Sequence, residues 1–148
     1  SPASDTSGAL LKARLESGGH RIVSYEILPD EPARIRDRVR SLAEADVEAV
    51  LLSGGTGIAP RDTTYEAVVG ILDRRLDGFG ELFRSLSYQE IGAAAMLSRA
   101  VAGTLRSTIV FAMPGSTAAC ELAIDRLVLP ELSHIVGLLR PAAGSRKP

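Results

Sequence analysis

Leu51-Leu52-Ser53-Gly54-Gly55-Thr56-Gly57-Ile58-Ala59-Pro60-Arg61-Asp62-Thr63-Thr64-Tyr65-Glu66 reads as an apolar strand that runs into a glycine-rich loop and ends on a carboxylate and a helix start. Glycines at 54, 55 and 57 let backbone N–H groups approach an anion closely, and the following helix N-terminus adds a favourable dipole. The pattern predicts a ligand that carries phosphate, a nucleotide or a phosphorylated cofactor. Asp62 joins such a site through a cation between carboxylate and phosphate oxygens, most simply Mg2+. No Lys follows the glycines, so the loop is not a P-loop, and its spacing departs from the dinucleotide G-x-G-x-x-G pattern.

Working outward, Val47 to Leu52 is a continuous apolar run of the kind found in a parallel strand buried on both faces. Before it, Ile35, Val39 and Leu42 recur at helical spacing, and His20 to Leu28, with Ile22, Val23, Tyr25 and Ile27, reads as a strand. Asp5 to Glu16 reads as a helix capped by Asp5 or Ser7 and stopped by Gly18-Gly19. After the loop, Thr63 and Glu66 have capping-box spacing, and the helix they open is expected to run to Leu76 and to break at Gly78-Phe79-Gly80. Helical pieces are expected over 81–90 and 93–100, then strands over 101–105 and 108–112 joined by a tight turn at Arg106-Ser107. Met113-Pro114-Gly115-Ser116 is a second loop after a strand, with Ser116 or Thr117 capping a helix through Leu127. Pro130 opens a last helix, and Gly144 to Pro148 is expected to fray. Strands alternating with helices predict an α/β layered fold with both loops at the carboxyl edge of one sheet, where ligands bind in open α/β folds.

The chain's 148 residues fit one domain. Aromatic residues at 4% and a net charge of −1 leave neither base-stacking platforms nor the electrostatic footprint of a nucleic-acid binder. A single cysteine, Cys120, rules out an internal disulfide. With no long apolar run and no leader pattern, the sequence predicts a cytoplasmic protein without a membrane span.

Each candidate residue also has a plainer reading. Asp62 fits an N-terminal helix carboxylate, a placement worth roughly 0.3–1 kcal/mol through the helix dipole, and Asp30 fits a normal helix entry before Glu31-Pro32. Two carboxylates at predicted strand ends are harder to dismiss, because phosphoryl and nucleotidyl transfer need mainly positioning and charge neutralisation. Glu66 reads as a capping residue, Ser116 as a cap compatible with phosphate contact, and Cys120 as a small core residue. His20 and His134 have no partner at metal-ligand spacing.

Asp5-Thr6-Ser7-Gly8, the Ser53 to Gly57 loop with Arg61-Asp62 and Thr64, Gly78-Phe79-Gly80-Glu81, Ser98-Arg99-Ala100 and Met113-Pro114-Gly115-Ser116 together resemble the MoaB/Mog family of molybdenum cofactor biosynthesis. The segments 79–91 and 112–117 resemble the MoaB branch in particular. The resemblance implies a three-layer molybdopterin-binding fold over residues 1–148, with a mostly parallel sheet flanked by helices. It also implies adenylylation of molybdopterin by ATP with Mg2+, releasing pyrophosphate, in a homo-oligomer that is a trimer or a hexamer of paired trimers. Carried over by motif, Asp62 and Asp30 are the catalytic, metal-organising carboxylates. Ser53, Gly54, Gly55, Thr56 and Gly57 together with Pro114, Gly115 and Ser116 hold phosphate and pterin. A non-catalytic molybdopterin carrier or scaffold is the competing expectation. The chain departs from the family's pattern at its start: members begin with a strand before the Asp-Thr-Ser-Gly motif, and here that first strand is expected to be missing.

Overall fold

Residues 5–140 are described by a computed structural model. The central strand is β4, Thr108–Met113, with every residue buried. To one side it pairs in parallel with β1, Ala49–Ser53, and to the other antiparallel with β3, Val101–Leu105, which in turn pairs with the two-residue β2, Arg74–Arg75. The order β1-β4-β3-β2 makes the sheet mixed rather than mostly parallel.

Strand side chains alternate between the two faces, and β4 shows the consequence. Ile109, Phe111 and Met113 enter one core, with Leu11, Phe79, Phe83, Ile124 and Leu132. Val110 and Ala112 enter the other, with Ile35, Val39, Val50 and Val68. Helices therefore cover both faces and give the three expected layers. The first core is covered by α1 (Thr6–Ser17), α4 (Asp77–Ile91), α5 (Thr117–Ala123) and α6 (Leu129–Leu139), with a π-helical turn at Ile124–Val128 joining the last two. The second is covered by α2 (Pro32–Glu44) and α3 (Thr64–Val69). Pro32 opens α2, and Ile35, Val39 and Ala43 bury one stripe of it.

Four expectations are corrected. Residues 20–28 form no strand: Val23 is 58% exposed and Ile27 is also exposed, and the segment is held by side chains, with the Tyr25 hydroxyl on Asp5 and Arg38 on Glu26. β-propensity expresses a fit to a paired, half-buried surface, and no strand pairs with this run among the described residues. The helix after the glycine loop stops at Val69, and the chain turns to pair β2 with β3, where a Cβ at Gly103 would stand 2.3 Å from the Arg74 carbonyl oxygen. Gly78-Phe79-Gly80 opens α4 instead of breaking a helix, because Phe79 is drawn into the core beside Phe111 at 5.1 Å between ring centroids. The segment after α4 is a short 3-10 turn, Gly92–Leu97. The expected frayed tail over 144–148 lies outside the described residues.

Asp5 does cap α1, accepting the Gly8 N–H at 2.9 Å. The Tyr25 hydroxyl foremost, and then the Gly8 N–H, hold the Asp5 carboxyl below its ordinary value of 3.8. Since the folded-state value is depressed, this stabilisation is present above about pH 3.8 and is lost as the pH falls through the lower folded-state value. Asp5→Ala is expected to cost about 1 kcal/mol, read as a lower thermal midpoint at neutral pH, with a smaller difference from the parent in acid.

Candidate functional site

Because β1 and β4 are parallel neighbours, the loops after Ser53 and Met113 leave the same sheet edge. Gly54 donates its N–H to the Met113 carbonyl at 2.8 Å, which locks the two loop starts together. Gly54 and Gly55 have φ of +98° and +73°, in the left-handed region. A Cβ on Gly115 would lie 3.2 Å from Gly54 Cα, so the second loop lies directly against the first. From α1, the Ser7 hydroxyl donates to the Gly115 carbonyl at 2.7 Å, and Thr6 and Thr117 share a hydroxyl contact at 3.0 Å. The Ser116 hydroxyl caps α5 by accepting the Ala119 N–H at 3.1 Å.

The two loops meet at a depression of about 230 Å³ lined by Thr56, Gly57, Phe83, Ser98, Pro114 and Ser116. Thr56 is 1% exposed, yet its hydroxyl has no hydrogen-bond partner among the described residues. A buried hydroxyl left unpaired costs roughly 1–3 kcal/mol, and this residue is one of those lining the depression. With the Gly54 N–H engaged by Met113, the loop amides without a protein acceptor among the described residues are those of Gly55, Thr56 and Gly57.

Asp62 is half-buried and lies on a second, open depression of about 410 Å³ lined also by Ile58, Pro60, Thr63, Glu66 and Arg99. Its Oδ2 accepts the Ala59 N–H at 2.9 Å and closes the turn between Gly57 and the helix. A Cβ on Gly57 would lie 2.7 Å from that oxygen, so the carboxylate rests on the glycine loop itself. Asp30 is exposed at the bend before α2 and lines neither depression. Among the described residues no three His, Cys, Asp or Glu side chains gather as a metal cage. The donor set nevertheless fits Mg2+, which is usually held by one or two carboxylates with the remaining positions taken by substrate phosphates and water. Asp62 offers one such carboxylate at the foot of the loop.

Glu66 does not act as the expected capping residue, because Thr63 makes no side-chain cap. It pairs with the Arg99 guanidinium, which holds the Glu66 carboxyl below its usual range. Cys120 is fully buried, its thiol donating to the Pro114 carbonyl at 3.3 Å, and burial pushes the thiol up to about 11, which removes it as a nucleophile. Sequence reasoning missed the part played by Arg99. The only signal was its place in Ser98-Arg99-Ala100, because its partners include main-chain carbonyls that no residue pattern displays. No helix among the described residues is long and apolar enough to cross a membrane.

Residues 2–134 match the family model described as a probable molybdopterin binding domain. The chain is 52% identical over 134 residues to molybdenum cofactor biosynthesis protein B of Halalkalibacterium halodurans, covering 89% of this chain and 79% of that protein. The fold superimposes on a crystal structure of molybdenum cofactor biosynthesis protein B with a TM-score of 0.91 and 49% identity, covering 94% of this chain and 88% of the other. It is also similar to the tungsten cofactor synthesizing protein MoaB from Pyrococcus furiosus, with a TM-score of 0.85 and 34% identity, covering 93% and 87% of the two chains.

Proposed function

The chain belongs to the family of molybdenum cofactor biosynthesis proteins built on the molybdopterin-binding domain, and from that membership we propose that it is a cytoplasmic enzyme that adenylylates molybdopterin with ATP and releases pyrophosphate. The observation that carries the reading is the contact of two glycine loops at one sheet edge, with the buried Thr56, its hydroxyl unpartnered among the described residues, lining the depression where they meet and the Asp62 carboxylate on the first loop. In the proposed step an oxygen of the molybdopterin phosphate attacks the α-phosphorus of ATP, and the bond from that phosphorus to the pyrophosphate oxygen breaks. The amides of Gly55 to Gly57 and the Thr56 and Ser116 hydroxyls bind phosphate and pterin oxygens. Asp62 is the first carboxylate proposed to hold Mg2+, and Asp30 the second. When bound, that ion neutralises charge on the phosphate oxygens. Phe83 and Pro114 exclude water from one wall of the loop depression.

The same reading includes a homo-oligomer, a trimer or a pair of trimers. Leu82, Tyr88 and Ile91 on α4 and Met96 on the following turn are 56%, 63%, 59% and 76% exposed, apolar side chains of the kind that a second copy is proposed to cover. The deciding experiment is pyrophosphate release from ATP and Mg2+ with and without molybdopterin, beside a molybdopterin binding titration, on protein whose mass in solution is fixed by sedimentation. Molybdopterin-dependent release supports the transferase. Binding without release favours the carrier reading, on whose side stands the exposed position of Asp30 outside both depressions.

A further inference from the structure

Arg99 lies just before β3 and reaches onto the loop that follows β1. Its peptide N–H donates to the Thr56 carbonyl at 2.8 Å. Its guanidinium donates through Nε and Nη2 to the Gly57 carbonyl at 3.0 and 2.7 Å, and Nη2 also reaches the Asp62 carbonyl at 3.1 Å. The two ends of the 57–62 excursion are thereby tied to one rigid plane. The outer edge of that plane pairs with Glu66, and its face lies 4.8 Å from the Tyr65 ring centroid. From the other side, Arg84 on α4 donates to the carbonyls of Ser98 and Ala100 at 3.3 and 3.0 Å, so the backbone on both flanks of Arg99 is fixed.

We propose that Arg99 is a positioning residue: its guanidinium sets the Asp62 carboxylate against the glycine loop by bridging the Gly57 and Asp62 carbonyls, with Glu66 orienting the fork. The competing role for an arginine on this depression is direct attraction of a substrate phosphate. Geometry favours the first role, because Nε and Nη2 are engaged by loop carbonyls and Nη1 gives one of its two N–H groups to Glu66; the split between kcat and KM decides between them. Of the residues whose amides are proposed to bind phosphate, Gly55 is held by the Thr64 N–H and Thr56 by the Arg99 peptide N–H, which a change of side chain at 99 leaves in place; Gly57 alone is held by the guanidinium. A lysine carries the charge but cannot bridge two carbonyls in a plane.

The kinetic arm rests on the adenylylation reading; the exchange arm does not. Arg99→Gln and Arg99→Lys are each expected to lower kcat for pyrophosphate release about 100-fold, the scale of a displacement near 1 Å of a reacting constellation. KM for ATP and molybdopterin is expected to stay within about threefold. Hydrogen exchange over 57–63 is expected to rise at least about tenfold while that over 109–112 is unchanged, and Glu66→Gln is expected to raise the same exchange by a smaller factor. A raised KM with kcat retained, Arg99→Lys behaving as the parent, or unchanged exchange over 57–63 would overturn the proposal. If the parent protein binds molybdopterin but releases no pyrophosphate, the adenylylation reading has failed and exchange alone decides on Arg99. Should Arg99→Gln not fold, Arg99→Lys and Glu66→Gln carry the test.

Discussion

Asp62→Asn is expected to lower kcat for molybdopterin-dependent pyrophosphate release by on the order of 10²–10³-fold, the usual scale for removing one electrostatic stabiliser of a transition state. The substitution is nearly isosteric, and the amide oxygen of Asn can still accept the Ala59 N–H that closes the turn. The bond from the Arg99 guanidinium to the carbonyl of residue 62 is untouched. What disappears is the negative charge on a carboxylate that rests against Gly57 at the foot of the glycine loop. Molybdopterin affinity is expected to stay within about threefold, since the groups proposed to hold the ligand are loop amides and the Thr56 and Ser116 hydroxyls. Equal loss of binding and of turnover would show that Asp62 holds the ligand instead of organising charge. Asp30→Asn measured beside it decides the second carboxylate. A comparable loss keeps Asp30 in the metal pair, and an unchanged rate removes an exposed residue that lines neither depression.

What could be read from the residues, and what could not, divides along one physical line. Features carried by local pattern were readable: the Asp5 and Ser116 caps, the β3–β4 hairpin around Arg106-Ser107, and the strand-to-loop passage at Ser53 and Met113. Features that depend on a distant partner were not. The β-branched run at 20–28 has the composition of a strand but no neighbour to pair with among the described residues. Phe79 overrides two flanking glycines because its ring finds Phe111, more than thirty residues away in the chain. Glu66 sits three residues after Thr63, as a capping box requires, yet a guanidinium thirty-three residues downstream offers a full opposite charge and two donors, which a single backbone N–H does not match. For the same reason Asp62 stood out as a candidate while the arginine that holds its turn did not.

The glycine loop gives the second large effect, because its two left-handed positions separate conformational strain from steric overlap. Gly54→Ala places a side chain at φ +98° with nothing within 4 Å of the new Cβ, so only the backbone term acts, about 1–2 kcal/mol. Gly55→Ala adds an overlap to a similar backbone term. At φ +73° the new Cβ would stand 2.1 Å from Thr64 Oγ1 and 2.9 Å from Thr64 Cβ, and Thr64 is buried at the first turn of α3 with its N–H on the Gly55 carbonyl at 3.0 Å. Overpacking of this kind adds about 1–3 kcal/mol. Because Thr64 cannot retreat without giving up that bond, the loop is expected to move and molybdopterin affinity to fall with stability. Gly137→Ala is the control: it lies inside α6 with open space around its Cβ, and alanine there is expected to gain about 0.5–1 kcal/mol. Chemical denaturation should therefore rank the proteins Gly137→Ala, parent, Gly54→Ala and Gly55→Ala in falling stability, with ligand titration showing its largest loss at Gly55. Equal effects at 54 and 55 would mean that Thr64 yields freely, and that the loop is held by its own glycines and not by the helix that follows it.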